Sequence, residues 1–245
     1  MKTSYKLSVL LSSLLTAQGA LANDWKGRAE AGFISASGNT DSETINAGLR
    51  FTKDGALWNH DIAFNTYKAS SNDVDSANNV KAEYTLKRDL TERSNLFASL
   101  SYLDDDFDGF TEQTSASFGY GYKVIDTEPM SWEVGAGVGY RDTSELRKLE
   151  DGREIEGKDL GNATIVLRSD YRHQLTSNTE LVDAFRAEAG AENTFIENDL
   201  ALVVSINDTF ALKAGFIIRH NTDPSEGADE TDTITSLNLV YSFAK

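Results

Sequence analysis

Residues 132–140 read WEVGAGVGY, with an apolar or aromatic residue at every even number and glutamate or glycine at every odd number. Successive side chains of a β-strand point to opposite faces, so this alternation predicts a strand with one apolar face and one small or polar face. Residues 116–122, ASFGYGY, repeat the pattern. Apolar residues at helical spacing are not sustained anywhere in the mature chain, which predicts an all-β fold.

Working outward from this stretch, the chain contains twelve segments with the same period of two. They start near Trp25, Ile45, Trp58, Val80, Leu96, Ala116, Trp132, Ala163, Leu181, Leu200, Phe210 and Thr233. The connections alternate between tight turns at 54–55, 89–93, 126–129, 174–178 and 207–208 and longer ones at 35–43, 70–76, 104–113, 142–159, 191–199 and 221–232. An even number of strands with short turns at one end predicts a 12-stranded antiparallel transmembrane β-barrel.

The charge of the chain supports a membrane barrel over a soluble sandwich. Among the 245 residues are 39 acidic and 23 basic side chains, a net charge of −16, and 24 of the acids fall in the six long connections. A two-sheet sandwich offers no reason to collect charge at one end. The acidity argues against a nucleic-acid partner, and the absence of cysteine excludes disulfides and thiolate metal sites. We expect no cofactor.

The first residues have the layout of a secretory signal. Lys2 and Lys6 precede an apolar stretch over 7–17, and Ala20-Leu21-Ala22 has the small side chains of a cleavage site. We therefore expect residues 1–22 to be cleaved and residues 23–245 to form the barrel. The mature chain has no run of 18 apolar residues that would predict a transmembrane helix. The predicted location is the outer membrane of a Gram-negative cell.

The last strand, residues 236–243 (SLNLVYSF), carries aromatic side chains at alternate positions near the chain end. It resembles the C-terminal strand that the barrel-assembly machinery recognises, although Asn238 stands where glycine is usual and two residues follow Phe243. The predicted partners are that machinery during biogenesis, together with outer-membrane lipids and lipopolysaccharide. We expect a monomer, porin-like in architecture.

Several motifs resemble those of a known family. They are SGNT at 37–40, INDTFALK at 206–213, NTDP at 221–224 and TDT at 231–233. Together they resemble the YdiY-like family of uncharacterised, salt-induced outer-membrane proteins over nearly the whole mature chain. The resemblance implies an outer-membrane barrel linked to salt or acid stress, and it transfers no substrate, ligand or catalytic residue.

Strand parity predicts which charged side chains line the lumen. They are Arg28, Glu30, Arg50, Lys81, Glu83, Arg168, Asp170, Arg186, Glu188 and Lys213. Acids and bases nearly balance, so these residues either brace the wall through ion pairs or line a narrow pore, whereas a dedicated ion channel usually has rings of one sign. Parity also turns Gly119, Gly121, Gly135, Gly137 and Gly139 inward, which leaves open space or permits tight curvature.

Two further sites are weaker candidates. Asp104, Asp105, Asp106 and Asp108 could offer oxygen ligands to Ca²⁺ or Mg²⁺, but they lack EF-hand spacing, and a solvated acidic loop is the alternative. His220, beside Arg219 and near Asp223, is the one histidine placed like an outer-rim catalytic base. We predict that the protein is not an enzyme.

Three functions remain open from the sequence. The first is a narrow channel for small polar solutes or ions. The second is a non-conducting structural envelope protein with a plugged lumen, and the third is an outer-rim hydrolase. A barrel fold does not decide among them, and the width of the lumen discriminates between the first two.

Overall fold

The computed structural model describes residues 25–36, 42–71, 74–105, 110–148, 154–191, 193–224 and 230–243. Within them, twelve antiparallel strands form a closed barrel in which each strand pairs with its neighbours in sequence and β1 pairs with β12. This confirms the predicted fold class. The strands are β1 (Trp25–Ala36), β2 (Ser42–Asp54), β3 (Trp58–Ser71), β4 (Val74–Asp89), β5 (Ser94–Asp105), β6 (Phe110–Thr127), β7 (Met130–Lys148), β8 (Glu154–Thr176), β9 (Thr179–Ala189), β10 (Thr194–Ser205), β11 (Phe210–Asn221) and β12 (Thr231–Phe243).

The barrel closes through a ladder that runs from Gly27–Phe243 to Gly32–Asn238. On the inner face, the side-chain amide of Asn46 on β2 donates a hydrogen bond of 2.7 Å to Asn238 on β12. This bond passes over Gly32, where an added Cβ would lie 2.2 Å from the Asn238 side-chain oxygen. A residue without a side chain is therefore required between the two asparagines.

The turns at one end are short, with three residues joining β2 to β3 and two joining β8 to β9. In the turn before β11, the side-chain oxygen of Asn207 accepts hydrogen bonds from the backbone N–H groups of Thr209 and Phe210, both at 2.9 Å. The Glu128–Pro129 peptide bond in the β6–β7 turn is cis.

The opposite ends of the strands extend further than the sequence predicted. β7 and β8 remain paired out to Lys148 and Glu154, so much of the segment predicted as a connection over 142–159 is strand. The prediction was wrong there because alternation is visible only where one face of a strand meets an apolar phase. Where both faces meet water, the strand has no period-two signal.

The outer face of the barrel is apolar. Val138 is 66% exposed, Ile165 62% and Phe118 55%, and they belong to a large set of exposed apolar side chains on the outward positions of the strands. An apolar surface this extensive is not stable in water, so this face contacts lipid. Aromatic rings meet near the short-turn end, among them Trp25 with His60 and Phe210 with Tyr241. The part of the chain described here has no helix long and apolar enough to cross a membrane.

Candidate functional site in the lumen

The lumen contains a cavity of about 460 Å³. Nine of the ten charged residues that parity turned inward border it: Arg28, Glu30, Arg50, Lys81, Glu83, Arg168, Asp170, Arg186 and Lys213. The tenth, Glu188, lies beside Arg186 and is only 1% exposed. The described residues that line the cavity include none from β5 or β6, so the cavity occupies one side of the lumen.

A chain of ion pairs crosses the lumen. The Glu197 carboxylate on β10 accepts from Arg219 Nε at 2.9 Å and from Lys81 Nζ at 2.5 Å, and Lys81 also lies 3.2 Å from Glu83. β4 and β10 are six strands apart in a ring of twelve, so the Lys81–Glu197 pair joins opposite walls.

The chain continues toward the packed side of the lumen. Arg186 on β9 contacts Glu83 at 3.2 Å and forms a short ion pair with Glu188. Glu188 lies 3.8 Å from Arg141 on β7 and accepts a hydrogen bond of 3.3 Å from the Ser115 hydroxyl. Seven charges of alternating sign therefore form one connected series, and each buried carboxylate has a cation beside it, as burial in a low-dielectric site requires.

This series lies in the outer half of the barrel. Lys81 and Glu197 are each eight residues from the short-turn ends of their strands, at Asp89 and Ser205. At a rise of roughly 3.3 Å per residue and a tilt of about 40°, that places them about 20 Å from the short turns. The ion pairs therefore narrow the lumen above the larger part of the cavity.

Below them, the walls carry separate ion pairs. The Arg50 guanidinium binds both carboxylate oxygens of Asp61, while Lys87 pairs with Glu133 at 2.7 Å. Lys213 pairs with Glu30 at 3.3 Å, and Arg172 lies 3.8 Å from Glu180. Arg28 makes no hydrogen bond or ion pair with any residue that the structure describes.

The side of the lumen opposite the cavity is packed. Phe97 on β5 is 2% exposed, and its ring covers two of the inward glycines. An added Cβ at Gly119 would lie 2.5 Å from the ring, and one at Gly135 would lie 3.1 Å from it. The Arg168 guanidinium stands over the same ring, 5.3 Å from its centre. Gly119 and Gly135 therefore make room for an aromatic side chain and leave no open space beside it.

Sequence reasoning missed Phe97, Arg141, Glu197 and Arg219 as lumen residues. Glu197 lay in a segment predicted as a connection. Arg219 shares the parity of Lys213 in the alternation of its strand, but it was not named among the lumen residues. For Phe97 a signal existed, because an aromatic residue replaces a polar one within the alternation of Asn95, Ser99 and Ser101. Because the next two strands carry a run of inward glycines, the position of Phe97 indicates that its ring packs against them.

The aspartates proposed as a weaker metal site lie only partly within the described residues. Asp104 lies at the outer end of β5, the side chain of Asp105 is not described, and Asp106 and Asp108 fall outside the described residues. No group of three or more histidine, aspartate or glutamate side chains in the described ranges is arranged to hold a metal ion.

The rim histidine is not arranged as a catalytic base in the described part of the chain. His220 Nδ1 lies 2.8 Å from the Thr231 hydroxyl. No carboxylate among the described residues lies within hydrogen-bond distance of its ring. A hydrolase would need such an acid to orient the base.

Comparisons with known proteins agree with this architecture. The family model described as "Protein of unknown function, DUF481" matches residues 29–243. The uncharacterised protein YdiY of Escherichia coli (strain K12) is 32% identical over 222 residues, which cover 89% of this chain and 83% of that protein.

Solved barrels share the fold at low identity. The NanC porin has a TM-score of 0.50 and 9% identity, with 90% of this chain and 100% of that chain covered. An outer membrane channel from Pseudomonas putida F1 has a TM-score of 0.50 and 10% identity, covering 90% of this chain and 95% of that one. The closed barrel with its apolar outer face is thus the fold of outer-membrane proteins, and the outer membrane is its location.

Proposed function

We propose, from the premise that this chain belongs to the DUF481 family, that it is a narrow channel for small polar solutes or ions in the outer membrane. The observation that carries the proposal is the charged cavity of about 460 Å³ inside the barrel. Charged side chains that border an internal cavity hold water there, and a hydrated polar lumen is typical of barrels that form channels. The porin and channel likenesses agree with this proposal at the level of fold.

The ion pairs across the lumen set the expected conductance. Lys81 and Glu197 join opposite walls where the lumen narrows, so a solute must pass beside them or displace them. We therefore expect small, discrete current steps rather than the large steps of an open porin. Charged side chains at a constriction also make the current depend on ion type.

Single-channel recording in a planar bilayer tests the proposal. The double variant Lys81→Ser with Glu197→Ser removes the contact between the walls and should raise the conductance several-fold. The matched control is Lys26→Ser with Asp54→Ser, which removes an exposed ion pair at the rim and should leave the conductance unchanged. Inserted wild-type protein that stays silent, with the lumen variant also silent, would contradict a channel.

A second candidate is a non-conducting structural envelope protein, and the same Lys81–Glu197 contact favours it. If the wall-to-wall ion pairs block the lumen completely, the wild-type protein is silent and only the lumen variant conducts. That pattern would show that the ion pairs plug the lumen, and it would favour a structural role in the cell envelope.

The proposal includes the route to the membrane. Residues 1–22 would be removed as a signal, and the mature chain would fold through the barrel-assembly machinery into a monomer in contact with lipids and lipopolysaccharide. The intact mass of protein purified from outer membranes tests the first step, because cleavage after Ala22 leaves a chain that begins at Asn23. A mass that includes residues 1–22 would contradict it.

The link to salt or acid stress is also a proposal, and it rests on the family resemblance alone. A strain that lacks the gene should grow more slowly than its parent at high salt or low pH, with normal growth restored by the wild-type gene. Equal growth of both strains under each stress would remove the link.

A further inference from the structure

Arg28 is an inward-facing arginine on the cavity wall, and none of the residues that the structure describes forms an ion pair with it. It lies on β1, three residues from the short-turn end, and borders the cavity. In the β1–β2 ladder it stands directly opposite Arg50, whose side chain also points inward. Like charges directly opposite each other on one face of a sheet are destabilising. The contact of Arg50 with Asp61 offsets the charge of Arg50 and leaves that of Arg28.

Three of the acids around this part of the cavity already pair with another cation. Glu30, two residues along β1, pairs with Lys213. Both carboxylate oxygens of Asp61 accept hydrogen bonds from the Arg50 guanidinium. Glu180 pairs with Arg172. Arg50 and Arg172 border the same cavity and carry the same charge as Arg28, and the carboxylates of Asp170 and Asp199 also lie on its wall. No acid among the described residues therefore forms an ion pair with Arg28.

The wall of the whole cavity shows the same excess. Nine of its described lining residues are basic and seven are acidic, whereas the chain as a whole carries a net charge of −16. Glu180 and Glu188 lie outside this count although they pair with the lining residues Arg172 and Arg186, so the basic excess at the wall is small and includes the unpaired Arg28. Low-dielectric walls around such a cavity focus its field and raise the local concentration of anions.

We propose that Arg28, together with Arg50 and Arg172, forms a binding site for the carboxylate or phosphate group of a small anionic solute in the periplasmic half of the lumen. A guanidinium offers two parallel N–H donors that match the oxygens of either group. This inference deepens the proposed channel by naming the class of solute. The binding itself does not require that the barrel conduct.

The test is a titration of the full mature protein in detergent micelles, followed through the Nε–Hε NMR signals of its arginines at low ionic strength. Phosphate and acetate should shift the Arg28 signal in a saturable manner, and acetamide, the neutral counterpart of acetate, should not. Tighter binding of phosphate assigns the site to phosphate-bearing solutes, and tighter binding of acetate assigns it to organic acids. No saturable shift with either anion would overturn the proposal.

The variant Arg28→Gln should weaken binding at least about tenfold, read from the Arg172 signal, since hydrogen bonds to charged groups contribute on that scale. Arg88→Gln is the matched control, because it removes the same charge at the same end of the barrel, where Arg88 stands outside the lumen 5.5 Å from the centre of the Trp58 ring. Equal weakening in both variants would overturn the site.

A stability measurement separates a binding role from a structural one. Arg28→Gln should unfold at the same or a higher urea concentration than wild type, because it loses no partner among the described residues and relieves repulsion with Arg50. Earlier unfolding would assign Arg28 to the fold and overturn the proposal. Anion binding without any channel current would contradict the proposed channel and support the anion site. Channel current without anion binding would support the channel and overturn the anion site.

Discussion

The two sides of the lumen are filled in opposite ways. Beside β5, β6 and β7, the ring of Phe97 lies on a wall of glycines and excludes water. Along β1 and β2, Arg28 and Arg50 border a cavity of about 460 Å³. Both sides arise from the same alternating pattern. The parity of a residue in its strand therefore decides whether its side chain points inward. The volumes of the side chains on neighbouring strands decide whether the inner face is packed or hydrated.

The largest expected difference between the two sides comes from removing one aromatic ring from each. Phe97→Ala should lower the free energy of unfolding by about 4 kcal/mol, because it leaves a hole over Gly119 and Gly135. Tyr67→Ala, on the cavity wall, should lower it by a fraction of that, since the tyrosine already faces open space. Urea unfolding in lipid vesicles measures both. Equal losses would show that the two sides are packed alike.

Ion pairs provide the next comparison, between the lumen and the rim. Arg186→Met leaves the carboxylates of Glu83 and Glu188 short of a cation in a buried place, which should lower the free energy of unfolding by about 3 kcal/mol. Lys26→Met removes a pair whose side chains are 64% and 67% exposed, and it should change stability by less than about 1 kcal/mol. The same unfolding experiment applies. A rim variant as unstable as the lumen variant would argue against a buried network.

The smallest expected difference in stability is between alanine substitutions at two glycines. Gly119→Ala places a Cβ 2.5 Å from the Phe97 ring and 2.4 Å from the backbone oxygen of Ala136, so it should destabilise the barrel by about 2 kcal/mol. Gly215→Ala meets the rotatable Ser236 hydroxyl at 2.8 Å and should leave stability unchanged, because alanine also restricts the unfolded chain. If Gly119→Ala unfolds like wild type, the glycine wall does not fit the ring closely.

The sequence was sufficient for the architecture because alternation is a local signal. The stretch Trp132 to Tyr140 shows both faces of β7, and the same parity turned Arg28, Lys81 and Arg186 inward. Outward positions were equally clear, as Val138 illustrates. These features depend only on neighbours in the chain and on the difference between lipid and lumen.

Contacts across the lumen were not predictable from the same pattern. The approach of Lys81 to Glu197, 116 residues apart, depends on the stagger between strands and on the shape of the cross-section. The packing of the Phe97 ring over Gly135 likewise depends on β5 and β7, which are not neighbouring strands. Strand ends beyond the membrane were missed for the different reason that water on both faces removes the alternation.

The ion pair between β4 and β10 has a mechanical consequence. A ring of strands flattens easily, because its hairpins bend while its ladder hydrogen bonds remain intact. A bond between opposite walls resists that flattening in one direction only, so the barrel is stiffer along the line from Lys81 to Glu197 than at right angles to it. Lateral pressure from the surrounding lipids therefore acts on this barrel unequally.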